Sequence, residues 1–70
     1  MPRQRGIQSI EVGGTLLQAM VAAGAPLALR ELARRAGMTS AKAHPYLVSY
    51  VKLGLIEQEP LTGHYRLGPF

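Results

Sequence analysis

Seventy residues are enough for one small domain and too few for a second, and 47% hydrophobic against 17% charged residues is the balance of a folded chain rather than a disordered one. The chain contains neither cysteine nor aspartate, which excludes disulfides and a cysteine metal site and removes most acid–base pairs available to an enzyme. A net charge of +4 and a pI of about 10.1 favour a polyanionic partner, nucleic acid ahead of an anionic membrane.

Met1 to Gln8 carries Pro2, Arg3, Arg5 and Gly6 with little periodicity, so residues 1–8 are expected to be a flexible basic arm before a domain at 9–70. Ser9 is the expected N-cap of a first helix. Glu11 suits its positive end, Ile10, Gly13, Leu17, Met20 and Val21 follow helical spacing, and Gly24 ends it. Gly13 and Gly14 each cost about 1 kcal/mol relative to Ala inside a helix. The pair therefore marks a place where another helix comes close. The apolar run from Thr15 to Leu29 is interrupted by Gln18, Gly24 and Pro26 and falls short of the roughly 20 residues a spanning helix needs. It reads as a buried helix and a turn, and with no cysteine the chain is expected to be cytoplasmic with no membrane partner.

After Pro26 a short extended piece at Leu27 and Ala28 leads into a second helix, Leu29 to Ala36, with Leu29, Leu32, Ala33 and Ala36 on one face. Gly37 can take the left-handed conformation that closes it, and Thr39 is a good N-cap for the next helix. That third helix is predicted from Ser40 to Leu53, since Ala43, Tyr46, Leu47, Tyr50 and Leu53 recur with helical period. Pro45 within it lacks an amide to bond the Ala41 carbonyl and biases His44 away from the helical region, so irregular first turns are expected. Gly54 stops the helix. Leu55 to Glu59 and His64 to Leu67 flank the turn Pro60-Leu61-Thr62-Gly63 and read as a β-hairpin.

Helix, short strand, helix, tight turn, helix and two-stranded hairpin is the order of a winged helix-turn-helix: mainly α, three helices plus a two-stranded wing. The matching stretches are Gln8-Ser9-Ile10-Glu11, Leu32-Ala33 with Gly37-Met38-Thr39-Ser40-Ala41-Lys42, Leu53-Gly54-Leu55-Ile56, and Thr62-Gly63-His64-Tyr65-Arg66-Leu67-Gly68. In these the chain resembles the N-terminal DNA-binding domain of the IclR family of bacterial transcriptional regulators over nearly its whole length. The resemblance implies double-stranded DNA as partner and a larger effector-binding domain beyond a linker helix. The chain is accordingly expected to be a DNA-binding fragment, mostly monomeric alone, of a regulator that is a homodimer or higher homo-oligomer. Where many members have Arg in the recognition helix this chain has Pro45, and where the wing often has Arg after its Gly it has His64.

With Ala43, Leu47 and Tyr50 turned to the core, Ala41, Pro45, Val48 and Lys52 face outward. The candidate base-reading residues are Ser40, Ala41, Lys42, His44 and Pro45, with Ser49 beside them. Ala41 and Pro45 can touch thymine methyls, Ser40 and His44 can hydrogen-bond base edges, and Lys42 can take a phosphate or a guanine. Thr39 and the amides behind it suit a phosphate, and Arg34 and Arg35 suit the backbone beside the turn. Thr62, His64 and Arg66 give the wing a polar tip, although Arg66 can instead pair with Glu57 or Glu59. Arg3 and Arg5 resemble a minor-groove arm.

No enzyme is expected: Ser40 and His44 with a distant Glu make only a chance triad, and two histidines make no metal site, so no catalytic residues, metal or cofactor are assigned. A winged helix used for protein–protein contacts is the alternative, because fold does not fix function.

Overall fold

Glycines in the left-handed region set where this chain reverses direction in the computed structural model, which describes residues 4–69. The first helix, α1 (Gln8–Ala23), starts one residue inside the expected arm. Its N-cap is Ile7, extended at φ −103° and ψ 114°, whose carbonyl accepts from the Glu11 amide at 3.1 Å. Ser9 lies within the first turn and caps nothing. The exposed amides there reach water, so no side-chain cap is required. Residues 4–7 are exposed and carry no regular structure, and Arg3 lies outside the described residues.

Gly24, at φ 64°, ends α1 by donating its amide to the Met20 carbonyl at 3.2 Å. The chain then passes Pro26 and forms one antiparallel bridge. Leu27 donates to the Tyr65 carbonyl at 2.9 Å and Tyr65 donates back at 2.8 Å, which gives the expected extended piece its partner. The second helix, α2 (Leu29–Arg35), closes through Gly37 at φ 75°, with Met38 donating to the Ala33 carbonyl at 3.0 Å. Thr39 caps α3 (Ser40–Lys52), its hydroxyl accepting from the Lys42 amide at 3.1 Å.

The third helix runs unbroken through Pro45, so the irregular turns expected there do not form. The lost bond falls on the Ala41 carbonyl, and the residues around it are exposed, so water can take its place. Leu53 is the C-cap of α3 and is 70% exposed, not a core residue. Strands β1 (Ile56–Gln58) and β2 (Tyr65–Leu67) pair antiparallel, Ile56 opposite Leu67, Glu57 opposite Arg66 and Gln58 opposite Tyr65.

Every element feeds one core. Leu16 and Met20 enter from α1, Leu32 and Ala33 from α2, Ala43 and Leu47 from α3, Ile56 from β1 and Tyr65 from β2. The buried line on α1 is Gly13, Leu16 and Met20, while Ile10 and Val21 are 70% and 65% exposed. At about 100° per residue those two lie roughly a quarter turn from the buried line, and α2 and α3 cover α1 from one side only. Leu17, between the two faces, is partly buried against the core.

The close approach expected at the glycine pair is made by Gly13 alone. A Cβ on Gly13 would collide with the Tyr50 hydroxyl and press on the Tyr46 ring at 3.1 Å, whereas a Cβ on Gly14 would meet nothing within 4 Å. Burial also holds the Tyr50 phenol above its ordinary pKa, with neighbouring Tyr46 adding to the effect.

Gly14→Ala should therefore stabilise the domain by about 1 kcal/mol through helix propensity, and Gly13→Ala should lie at least about 1 kcal/mol below it because the gain is spent on displacing Tyr50. Adding Tyr50→Phe to Gly13→Ala should recover part of the loss in urea denaturation; additive effects would show that the two residues do not press on each other. Gly37→Val, at φ 75°, should cost about 1 kcal/mol or more, since L residues are strained there. An unchanged thermal midpoint would place the turn elsewhere.

Candidate nucleic-acid interface

One side of α3 has no work in the core. Ala43 and Leu47 are fully buried, and Ala41, Lys42, His44, Pro45, Val48, Ser49 and Lys52 are all exposed, with Ser40 partly so. The Gly37 turn and the Thr39 cap fix how α3 leaves α2, and Ala33 and Ala43 are the small residues that let the two helices pack into one core. The open side is consequently presented as a rigid ridge. It is flanked differently on its two edges: Pro45 and Ser49 line a shallow depression with Ser9 of α1, whereas His44, Val48, Val51 and Lys52 face Gln58 and Tyr65 of the hairpin across a groove.

The arginines beside this ridge do not stand free. Arg34 donates from Nε to Glu31 Oε1 at 3.0 Å and from Nη2 to Oε2, and Arg35 donates from Nε to Glu31 Oε2 at 2.8 Å. These hydrogen bonds, Arg34's first and Arg35's second, pull the Glu31 carboxyl down from its ordinary 4.5 to about 2. Arg34 is held above its ordinary value by the same bond.

In the wing, Arg66 takes both of its alternatives. It donates to Glu57 Oε1 at 3.1 Å and to Glu59 Oε2 at 2.8 Å, and the Glu57 bond is the chief reason its pKa rises. Thr62 donates from its hydroxyl to Glu59 at 2.8 Å and accepts from the His64 amide at 3.1 Å, so it braces the turn. His64 is partly exposed at the end of that turn.

The cations left without an acidic partner among the described residues are Arg5, Arg30, Lys42 and Lys52. Arg30 and Lys52 were not among the sequence-based candidates, yet Lys52 sits on the open side of α3 and Arg30 is exposed on the first turn of α2. Glu31 escaped notice altogether. Its spacing of three and four residues from Arg34 and Arg35 was the signal that could have found it.

A family model described as the IclR helix-turn-helix domain matches residues 9–60. The chain belongs to this family. It is 36% identical over 64 residues to the glycerol operon regulatory protein of Streptomyces griseus, a match covering 91% of this chain and 25% of that protein. Its fold superimposes on the crystal structure of HmgR from Pseudomonas aeruginosa with a TM-score of 0.83, at 35% identity, covering 89% of this chain and 26% of the other. The chain thus spans about a quarter of the length of both relatives. Family, fold and regulator relatives together make this the winged helix-turn-helix DNA-binding domain of a transcriptional regulator. Among its described residues no helix is long and apolar enough to cross a membrane.

For this IclR-family domain the Glu31 cluster has a measurable consequence. A carboxylate whose folded pKa lies below its unfolded one stabilises the fold above the unfolded value and loses that contribution as pH falls through the folded one, here between 4.5 and about 2. Solvent screens these exposed pairs, so the effect is small. Glu31→Gln should flatten the fall of the thermal midpoint across that acid window and leave the neutral-pH fold intact. A profile matching the wild type would show that the pairs do not persist in solution.

Proposed function

We propose that this domain reads duplex DNA through the open side of α3, with Ser40, Ala41, Lys42, His44 and Pro45 toward base edges in the major groove and Ser49 at the margin. The observation that carries the reading is the division of α3 itself: two residues wholly in the core and an opposite, mostly exposed side whose residues are not part of that core. Lys52 and Arg30 supply phosphate contacts beside it, Lys42 takes either a guanine or a phosphate, Arg5 reaches from the chain ahead of α1, and Arg3 is proposed alongside Arg5 in the minor groove. The Thr39 cap leaves helix amides facing the same phosphate path. Arg34 and Arg35 reach the backbone only as a unit with Glu31, which halves their net charge. Thr62, His64 and Arg66 bring the wing alongside.

In the intact regulator, which acts in the cytoplasm, two such domains work as a homodimer or as part of a higher homo-oligomer. One module covers too little DNA for high specificity, and paired half-sites multiply it. The name of the Streptomyces relative supports control of an operon as the setting.

Four unpaired cations predict a modest salt response, log K falling with log salt at a slope of roughly −3 to −4 per protomer. Pro45→Arg should steepen the slope by about 0.9 and raise affinity for random duplex, lowering the ratio of specific to random binding, while Pro45→Ala should keep the fold. Titrations at two salt concentrations against selected and random duplexes decide it. Salt-independent binding, or no binding at low salt, would overturn the reading, and an unfolded Pro45→Ala would move the reading face away from Pro45.

A further inference from the structure

Not every cation beside the reading helix is free to search for phosphate. On α2, Arg30 has no acidic partner among the described residues, whereas Arg34 and Arg35, in the last turn just ahead of α3, are both tied to Glu31. One carboxylate serves two guanidinium groups. Its Oε2 is shared between Arg34 Nη2 and Arg35 Nε, the latter at 2.8 Å, and its Oε1 accepts from Arg34 Nε at 3.0 Å.

The two arginines are held differently. Arg34 meets both carboxylate oxygens through Nε and Nη2, a side-on fork that fixes the plane of its guanidinium, while Arg35 is held through Nε alone. An arginine has five N–H donors, of which Arg34 uses two here and Arg35 one. What Arg34 keeps is the end that carries Nη1 and the outer N–H of Nη2, on a side chain that is 70% exposed despite the fork. Such an end can take a phosphate with two parallel bonds, in a direction already set. Glu31, meanwhile, leaves a negative charge beside both guanidinium groups. The same pairs also support α2, which is only seven residues long and has no side-chain N-cap.

We propose that Glu31 is a specificity-determining positioning residue: it holds Arg34 and Arg35 to take backbone phosphate in the one register that docking of α3 sets, and repels phosphates approaching otherwise. The proposal rests on the reading of α3 as the base-reading helix with these two arginines at the backbone beside it. On a matched duplex, loss of Glu31 has two opposing effects. The arginines gain effective charge, and they lose the orientation that spared them rotamer freedom on binding. On random duplex no single register is favoured, so the gain in charge dominates. Glu31 thus weakens random binding more than matched binding, and it widens the ratio between them without touching a base.

The test uses the 70-residue chain, a duplex it enriches from a random pool and a random duplex of equal length, titrated at two salt concentrations. Glu31→Gln should bind the random duplex roughly fivefold more tightly, with a salt slope steeper by about 0.9, and the enriched duplex less than about twofold more tightly. Its circular dichroism at neutral pH should match the wild type. In a chain carrying Arg34→Gln and Arg35→Gln, the same substitution should no longer change the ratio, because Glu31 acts through those side chains. Equal gains on both duplexes, no change on either, or the joint loss that helix support alone would give overturns the role of Glu31, as does a ratio that still shifts without the arginines. Wild-type binding by the Arg34→Gln, Arg35→Gln chain overturns instead the placement of these arginines at the backbone. Failure of wild type to enrich any duplex overturns the reading of α3.

Discussion

Eight buried side chains contributed by five elements form the core of this domain among its described residues, and the position of every surface that can meet DNA follows from them. Ala33 and Ala43 keep α2 and α3 close, and Leu32 and Leu47 fill the space around them without a polar atom to satisfy. Tyr65 does for the hairpin what the alanines do for the helices. Its ring enters the core, and its backbone is bonded reciprocally to Leu27, so the wing is clamped to the segment just ahead of α2. In so small a core each residue is shared by several elements, and loosening one would shift α3 and the wing relative to each other.

Electrostatics is the second organising feature. A net charge of +4 leads one to expect a strongly basic binding face, but Glu31 offsets half the charge of Arg34 and Arg35, and Glu57 and Glu59 more than offset Arg66. What remains on the open side of α3 is two lysines and His44 among small, apolar and hydroxyl-bearing residues. On the proposed reading, such a face would attract DNA weakly and discriminate by fit, since alanine, proline and valine can contact thymine methyls but hold no phosphate. The paired arginines are better described as oriented than as free charge: each keeps unused N–H donors while its carboxylate partner limits where it points.

The exposed apolar residues divide the same way. Val48 and Leu61 lie on the side of α3 and the wing, whereas Ile7, Ile10 and Val21 lie along α1. The chain covers about a quarter of its full-length relatives, and an exposed row on one helix of a short domain is ordinary in a chain with little surface to spare for covering it.

Much of the architecture was legible because it depends on local chemistry. Gly37 and Gly54 were readable as stops because only glycine is comfortable at positive φ, Thr39 as a cap because its hydroxyl can take an orphan amide, and the hairpin because two short extended runs flank a turn-forming stretch. Helical period likewise found Ala43 and Leu47. Period alone could not tell which of two neighbouring stripes on α1 is covered, Gly13-Leu16-Met20 or Ile10-Leu17-Val21, because that depends on the side from which α2 and α3 approach. It could not say which glycine meets Tyr50, or whether Arg66 faces solvent or Glu57 and Glu59 across the strands. Those are distances between residues far apart in the chain, and they exist only once the core has formed. The sequence determined by itself where the backbone turns and which helix carries an uncommitted face; the tertiary structure decided which charges are cancelled and which side chains are left bare, because pairing and burial are properties of neighbours that only packing supplies.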